Sequence, residues 1–178
     1  IAFENNEIEY LADAPLSEWE SLKAAAGENH SLTKGNNIRF MAINYLSPTN
    51  NNILGNLKVR EAIFYAINKD NINAAASSGY GAPAYEYMPH EYVATSPSYE
   101  DGGFKVYDYD PEKAKAMLKE AGFTDAQIAE GIDVGTLMTY GAATAEKAKA
   151  AQVIQANLAE VGLKAEIYVA EAAQVTPK

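Results

Sequence analysis

The spacing of hydrophobic residues along the chain predicts three well-defined helices. Apolar residues recur every three or four positions after Asn56 and again over residues 143–161, a pattern typical of helices that lie on a sheet. A third helix, over residues 110–121, combines an Asp cap with Pro111 in its first turn and Gly122 at its end. Each of these helices is expected to bury one face.

The helix after Asn56 has the strongest pattern, and Asn56 is a suitable residue to cap its first turn. Its expected buried face consists of Val59, Ala62, Ile63, Ala66 and Ile67. The polar residues 69–71 then predict a break in the helix before Ile72.

A strand, a helix and a second strand are predicted near the start of the chain. Residues 7–11 have the pattern of a short strand, and residues 37–46 are apolar on both faces, as is typical of a central strand. Between them a helix starts near Pro15 and ends at Gly27. Trp19 lies on the apolar stripe of this helix, so we expect it to pack in the core.

A second unit of the same kind is predicted near the other end. Residues 132–139 and 163–169 flank the helix over residues 143–161, which ends at Gly162. Parallel strands joined by a helix form a βαβ unit. Two such units predict an α/β fold in which helices pack on a mostly parallel sheet.

Composition narrows the possible functions. Apolar residues make up 48% of the 178 positions, enough to bury a core in a single domain. The net charge is −10, and the 14 Lys and Arg residues are scattered, which argues against nucleic acid or an anionic membrane as a partner. No apolar run approaches the roughly 20 residues of a membrane span. The absence of cysteine excludes disulfides and thiolate nucleophiles.

Residues 56–72 carry the most specific motif in the chain. They contain Val-Arg-x-Ala followed by Ala-Ile-Asn-Lys-x-x-Ile, which resembles a helix of the solute-binding proteins of ABC importers, in the oligopeptide, dipeptide and nickel class known as family 5. Residues 109–123 and 154–167 resemble two later segments of that family in the same order, the first with an Asp-Pro start and an Ala-Gly-aromatic end. On these three segments the chain is identified as a member of the family.

The resemblance implies a type II periplasmic-binding-protein-like fold, in which two lobes close on a ligand. At 178 residues the chain is expected to form most of one lobe, residues 1–178, with the other lobe and the hinge crossings outside it. The family commonly carries a Trp and an Asp that hold the ligand's amino terminus after the strand that contains Ile167. Residues 174–178 do not resemble that stretch.

The same resemblance implies a function. The chain is expected to be part of the substrate-binding component of an ABC importer, which captures short peptides in a two-lobed cleft and delivers them to a membrane permease. Relatives of the same architecture bind nickel chelates, opines or sugars, so peptide is one of several ligand classes. An extracytoplasmic monomer is expected, in the periplasm or on the cell surface as a lipoprotein, with no membrane insertion by this part of it.

Residues 77–109 lack any helical period and contain seven of the 12 tyrosines. Tyrosine offers a flat apolar face and one hydroxyl at low conformational cost, which suits a groove that accepts varied side chains. We therefore predict ligand contacts at Tyr80, Tyr85 and Tyr87. The alternative is that these tyrosines pack the segment onto the lobe.

Asn44 and Tyr45 are the remaining candidate ligand contacts. They lie at the end of the predicted strand over residues 37–46, and ligands of open α/β sheets bind at the carboxyl ends of strands. The alternative for Asn44 is a side chain that caps the turn at Pro48. For Arg60, in the first turn of its helix, a structural anchor and a ligand carboxylate site are both open, and the anchor is favoured because the helix dipole requires a local partner.

The sequence contains no arrangement that indicates catalysis, a metal site or a cofactor. His30 and His90 lack a second ligand at helical spacing, and no nucleophile elbow or phosphate loop is present. The alternative functions are a ligand-sensing domain of a regulator or receptor with the same fold, and a small α/β enzyme.

Overall fold

The structure is a computed structural model that describes residues 2–33, 35, 37–85, 105–140 and 145–170. Its helices in these ranges are α1 (Trp19–Ala26), α2 (Leu57–Ala66), α3 (Lys69–Ser77), α4 (Pro111–Glu120), α5 (Asp125–Glu130) and α6 (Ala145–Glu160). Its strands there are β1 (Ile132–Tyr140) and β2 (Leu163–Ala170), and short 3-10 helices cover Leu16–Glu18 and Thr49–Gly55.

The βαβ unit predicted near the end of the chain is confirmed. Strands β1 and β2 pair in parallel, from Ile132 opposite Leu163 to Tyr140 opposite Ala170, and α6 connects them. The turn after α6 requires Gly162, whose φ is +84° and where a Cβ would lie 2.3 Å from the carbonyl oxygen of Ile128. A local glycine therefore sets the angle at which the chain leaves the helix and enters the sheet.

Helices α2 and α4 form the other half of the core, with the caps that the sequence predicts. The amide of Lys58 donates to Oδ1 of Asn56 at 2.9 Å, and the amide of Lys113 donates to Oδ1 of Asp110 at 2.9 Å. The helices pack on each other and on the first residues of both strands. The buried cluster consists of Val59, Ala62, Ile63, Tyr65, Ala66, Ala114, Leu118, Ile132, Val134, Leu158, Val161 and Leu163.

The break after α2 lies earlier than the polar run at residues 69–71 predicts. Helix α2 ends at Ala66, and the side chain of Asn68 accepts a hydrogen bond from the amide of Asn71 at 3.0 Å. Asn68 is therefore the cap of a new helix, and Lys69 lies in the first turn of α3.

The strands predicted at residues 7–11 and 37–46 are absent, so the first βαβ unit is not formed by the described residues. Residues 7–11 form bends and irregular backbone, and the side chain of Tyr10 is exposed. Residues 37–46 pack Met41 and Ile43 against the core but pair with neither β1 nor β2. A strand exists only where a neighbouring strand accepts its backbone hydrogen bonds, which an apolar pattern does not supply.

The helix predicted between those strands is confirmed as α1. Trp19 and Leu22 are its buried residues, and the Trp19 ring lies edge-on to His30 with 5.8 Å between ring centroids. Helix α5 was not predicted, although Thr124 and Gln127 form a capping box that is a recognisable start signal. Across the part of the chain that is described, no helix is both long and apolar enough to span a membrane.

Candidate functional site

The predicted contact residues lie in two separate places. Asn44 and Tyr45 precede the Thr49–Gly55 turn beside α2, whereas Tyr80 and Tyr85 follow α3. Tyr87 lies outside the described residues. Tyr45 contacts α2 through Arg60, whereas Tyr80 contacts α1 and Tyr85 contacts α3.

Two side-chain contacts hold the chain around Asn44 against the second βαβ unit. Arg39 pairs with Glu146 at 2.5 Å, in the first turn of α6 and so beyond the carboxyl end of β1. Asn50 donates from Nδ2 to the carbonyl oxygen of Asp133, at the start of β1, at 3.0 Å. Asn44 and Tyr45 therefore lie between these points, with Tyr45 towards the amino end of β1.

The side chain of Asn44 caps a local turn. Its Oδ1 accepts from the amide of Leu46 at 3.2 Å, and its carbonyl oxygen accepts from the amide of Ser47 at 3.2 Å. This is the turn before Pro48 that the sequence offers as an alternative. Both the side-chain oxygen and the carbonyl oxygen of Asn44 are thus engaged in the turn, and the residue as a whole is exposed.

Arg60 is a structural anchor, as favoured from the sequence. Its Nη1 donates to the carbonyl oxygens of Leu54 at 2.8 Å and Gly55 at 2.9 Å. The guanidinium also lies 5.5 Å from the centre of the Tyr45 ring. This contact supports the ring from one side while 54% of Tyr45 remains exposed.

The segment after α3 leaves the helix along a defined path, which we call the entry leg (residues 78–85). Ser78 adopts the left-handed conformation, with φ of 51°. The side chain of Asn73 then accepts from the amide of Gly81 at 2.9 Å and donates to the carbonyl oxygen of the same residue at 3.0 Å. The Asn73 side chain therefore attaches the entry leg to α3 by pairing with both backbone groups of Gly81.

Tyr80 links the entry leg to the first helix. Its hydroxyl donates to the carboxylate of Glu20 in α1, and this hydrogen bond is the main cause that raises the pKa of Tyr80. The residue is 38% exposed. This contact fits the alternative in which a tyrosine packs the segment onto the lobe.

Tyr85 is half-buried at the end of the entry leg. The ammonium of Lys69 lies 4.5 Å from the centre of its ring. Burial is the largest cause that raises the pKa of Tyr85, followed by the charges of Asp108 and Asp70 and by a hydrogen bond with Asp108. The ring is therefore held from one side by a cation and at its hydroxyl by the returning chain.

The returning chain, or exit leg (residues 105–110), is attached to α2. The Tyr107 ring packs against Phe64 and Tyr65, with 5.1 Å between centroids in each pair. The amide of Asp110 donates to the carbonyl oxygen of Tyr65 at 2.8 Å. The path into α4 is thus set by both backbone and side-chain contacts.

Glu61 is a buried carboxylate at this attachment that sequence reasoning missed. It accepts hydrogen bonds from Lys105 and from the hydroxyl of Tyr107, the latter at 3.3 Å, and it lies 3.5 Å from Lys58. The hydrogen bond from Lys105 is the main cause that lowers the pKa of Glu61, and burial opposes it. The sequence signal for a buried Glu61 is weak: the residue lies next to Ala62, which belongs to the expected buried face of the helix.

The described residues show no grouping of three His, Asp or Glu side chains that could hold a metal ion. A cavity of about 350 Å³ lies between α5, the end of α6 and the start of β2. It is lined by Lys115 and by residues 128–131 and 159–164, and none of the candidate contacts is among them.

Comparison with known proteins places the chain in a protein family. The model described as bacterial extracellular solute-binding proteins, family 5 Middle, matches residues 1–178. The glutathione-binding protein GsiB of Escherichia coli (strain K12) is 37% identical over 119 residues, which are 67% of this chain and 21% of GsiB. The chain thus spans about a fifth of the length of the curated relatives that it matches.

Two solved structures share the fold. HbpA2 from Haemophilus parasuis superimposes with a TM-score of 0.71 at 25% identity, covering 97% of this chain and 32% of its own. The dipeptide binding protein from Pseudoalteromonas sp. SM9913, in complex with Met-Leu, gives a TM-score of 0.58 at 26% identity, covering 75% and 24%. The predicted α/β class is confirmed, and the relatives are named as binding proteins, in agreement with a role other than catalysis.

Proposed function

The chain belongs to the bacterial extracellular solute-binding proteins of family 5, and on that basis we propose that it forms one wall of a cleft that captures short peptides for an ABC importer. The match of the family model to the whole chain is the observation that carries this proposal. The remainder of the cleft belongs to a second lobe, and the loaded protein delivers its ligand to a membrane permease.

Short peptides are the proposed ligands because two of the comparisons are named for peptide ligands. GsiB is named for glutathione, itself a tripeptide, and the Pseudoalteromonas structure holds Met-Leu. The sequence identities are 37% and 26%, so the ligand class is carried over by family likeness and the individual ligand is left to experiment. Nickel chelates, opines and sugars are the competing classes.

The proposed ligand contacts are Asn44, Tyr45, Tyr80, Tyr85 and Tyr87. Tyr45 and Tyr85 have the stronger support, because each ring is backed by a cation, Arg60 or Lys69, at 5.5 Å or 4.5 Å from its centre. A ring that is already fixed loses little conformational freedom when a ligand packs against it. Tyr80 has weaker support, since its hydroxyl is engaged by Glu20.

The family name implies a place outside the cytoplasm, and we propose the periplasm, or the cell surface as a lipoprotein. Within the parent protein, residues 1–178 are proposed to act as a single, partial lobe. The protein is proposed to work as a monomer, since one cleft closing on one ligand needs no second copy.

Isothermal titration calorimetry on the full-length gene product tests the ligand class. The titrants are Met-Leu, reduced glutathione, an unrelated nonapeptide and the nickel complex of L-histidine. Binding of at least one peptide at micromolar or lower Kd, about −8 kcal/mol, is expected. Binding of the nickel complex with no response to any peptide would contradict the proposal.

Substitution tests the contacts. Tyr45→Ala and Tyr85→Ala are expected to weaken binding of the peptide by about tenfold or more, since truncating a buried aromatic contact often costs more than 1 kcal/mol. Tyr10→Ala is the matched control, because Tyr10 is 81% exposed and distant in the chain from both places. If all three variants bound the peptide with equal affinity, Tyr45 and Tyr85 would not be ligand contacts.

A further inference from the structure

The entry and exit legs meet at one side chain, that of Lys69. Its ammonium lies 4.5 Å from the centre of the Tyr85 ring in the entry leg. The same ammonium donates to the carbonyl oxygen of Tyr107 in the exit leg at 3.0 Å. Tyr85 and Tyr107 are 22 positions apart in the chain, and Lys69 precedes both in α3.

The other contacts described for the legs each involve a single leg. Asn73 attaches the entry leg to α3, and Phe64 and Tyr65 attach the exit leg to α2. Each of those contacts joins a leg to a helix. Lys69 contacts both legs, and the hydrogen bond between Tyr85 and Asp108 adds a direct link between them.

The position of Lys69 is electrostatically unfavourable without such partners. It lies in the first turn of α3, where the helix dipole disfavours a cation. Burial is the largest cause that lowers the pKa of Lys69, while Asp108 and Asp70 act in the opposite direction. A solvent-facing side chain would avoid the cost of burial, so the contacts with Tyr107 and Tyr85 compensate for burying the ammonium at this position.

Lys69 is also the basic residue of the Ala-Ile-Asn-Lys-x-x-Ile motif. The caps and the apolar face of α2 explain most of that motif as helix chemistry, but they do not require a base at this position. The contacts of Lys69 with the two legs give a basic residue a structural role at this position.

We propose that Lys69 is a positioning residue that clamps the entry and exit legs together and thereby holds Tyr85 in place for the ligand. The ligand part of this inference rests on the proposed function, while the clamp itself does not. Bringing together two parts of a chain that are 22 positions apart costs conformational entropy, and a contact that joins them offsets that cost in the free protein. A ligand then meets a surface that is already ordered.

Hydrogen exchange on the full-length gene product tests the clamp without any ligand. Lys69→Met keeps the length of the side chain and removes its charge and donors, and Lys69→Arg restores a cation. Lys115→Met is the matched control, because the ammonium of Lys115 pairs with Glu112 within α4 at 3.1 Å.

The expected result is exchange about tenfold faster in both ranges 82–85 and 105–108 for Lys69→Met, as for a local opening, with no change in α2. Lys69→Arg should return the rates towards the wild type, and Lys115→Met should leave both legs unchanged. Faster exchange in one leg alone, or equal changes in the control, would overturn the clamp. The clamp would also be overturned if the exchange rates of the two legs changed only in step with global unfolding of the protein.

Calorimetry with Met-Leu and reduced glutathione tests the positioning. Whichever probe the wild type binds should bind about tenfold more weakly to Lys69→Met, and Lys69→Arg should recover most of that affinity. Unchanged affinity with loosened legs would overturn the positioning role. If neither probe binds the wild type, the unrelated nonapeptide takes their place as titrant. If no peptide binds, the proposed ligand class fails, and the exchange experiment still decides whether Lys69 joins the legs.

Discussion

Asn73 and Gly81 are joined by a pair of hydrogen bonds, in which the amide side chain accepts at 2.9 Å and donates at 3.0 Å. A Cβ at Gly81 would lie 2.6 Å from Oδ1 of Asn73, so an alanine there would displace the Asn73 side chain from the pair. The pair determines where the chain goes after α3, and therefore where Tyr85 arrives against Lys69.

Changing either Asn73 or Gly81 is expected to destabilise the protein modestly. Asn73→Ala and Gly81→Ala should each lower the free energy of unfolding by about 1 kcal/mol, the net value of one or two exposed hydrogen bonds. The double variant should cost less than the sum, because both changes break the same pair. Urea unfolding measures these values, with Asn71→Ala on the same helix as control. Simple additivity would mean that the two residues act independently.

Truncating the core between α2 and α4 should have a much larger effect. Leu118 is completely buried, so Leu118→Ala is expected to lower the free energy of unfolding by about 3 kcal/mol through lost contacts and a cavity. Leu46→Ala removes the same atoms from a residue that is 74% exposed and should change stability by less than about 0.5 kcal/mol. Similar losses for the two variants, by urea unfolding, would contradict the described core.

Glu61 predicts a specific dependence of stability on pH. Its pKa in the folded protein lies below the usual 4.5, mainly because Lys105 donates to it. A lowered pKa contributes stability that is fully present above pH 4.5 and is lost as the pH falls through the folded-state value. Glu61→Gln should therefore be less stable than the wild type at pH 7 by about 1 kcal/mol, and the difference should shrink on acidification.

Urea unfolding of the wild type and Glu61→Gln between pH 7 and pH about 3 measures this difference. Glu112→Gln is the control, because the side chain of Glu112 is 83% exposed and its ion pair with Lys115 lies on the surface of α4. A difference for Glu61→Gln that stays constant with pH would show that the charge of Glu61 does not stabilise the fold.

The turn before α2 contains three successive residues in the left-handed conformation, Asn50, Asn51 and Asn52. Asparagine tolerates this conformation and β-branched residues do not. Asn51→Val should lower the free energy of unfolding by about 1–2 kcal/mol, whereas Asn51→Gly should change it by less than about 0.5 kcal/mol. Thermal and urea unfolding compare the two, and a valine variant as stable as the glycine variant would refute the left-handed turn.

Residues 1–178 alone should fold cooperatively but bind peptide weakly, because a second lobe is proposed to supply the opposite wall of the cleft. Calorimetry with Met-Leu and reduced glutathione should give affinities at least about 100-fold lower than those of the full-length gene product, equivalent to about 2.7 kcal/mol. Sub-micromolar binding by this chain alone would show that one lobe is sufficient.

The helices could be predicted from the sequence because their signals are local. Asn56 and Asp110 each lie within three residues of the amides they cap, and Gly162 supplies the positive φ that ends α6. The second βαβ unit followed from the same local information, together with the handedness of such connections. The capping box at Thr124 was equally local, so α5 was predictable but missed.

The candidate site was predictable in composition but not in arrangement. The tyrosines of residues 77–109 indicated a contact surface, yet nothing near Tyr85 in the sequence points to Lys69 or Asp108 as its neighbours. Likewise, the apolar residues 37–46 matched a central strand, but in the described chain they pair with neither β1 nor β2.

The sequence by itself determined where helices begin and end, the α/β class and the family, because caps, apolar periodicity and motifs act within a few residues. Only the tertiary structure decided that Lys69 joins Tyr85 to Tyr107, that Glu61 is paired by Lys105, and that residues 37–46 run beside β1 unpaired. Those contacts join residues that are distant in the chain. They form only when the whole core brings the elements together, so no local pattern contains them.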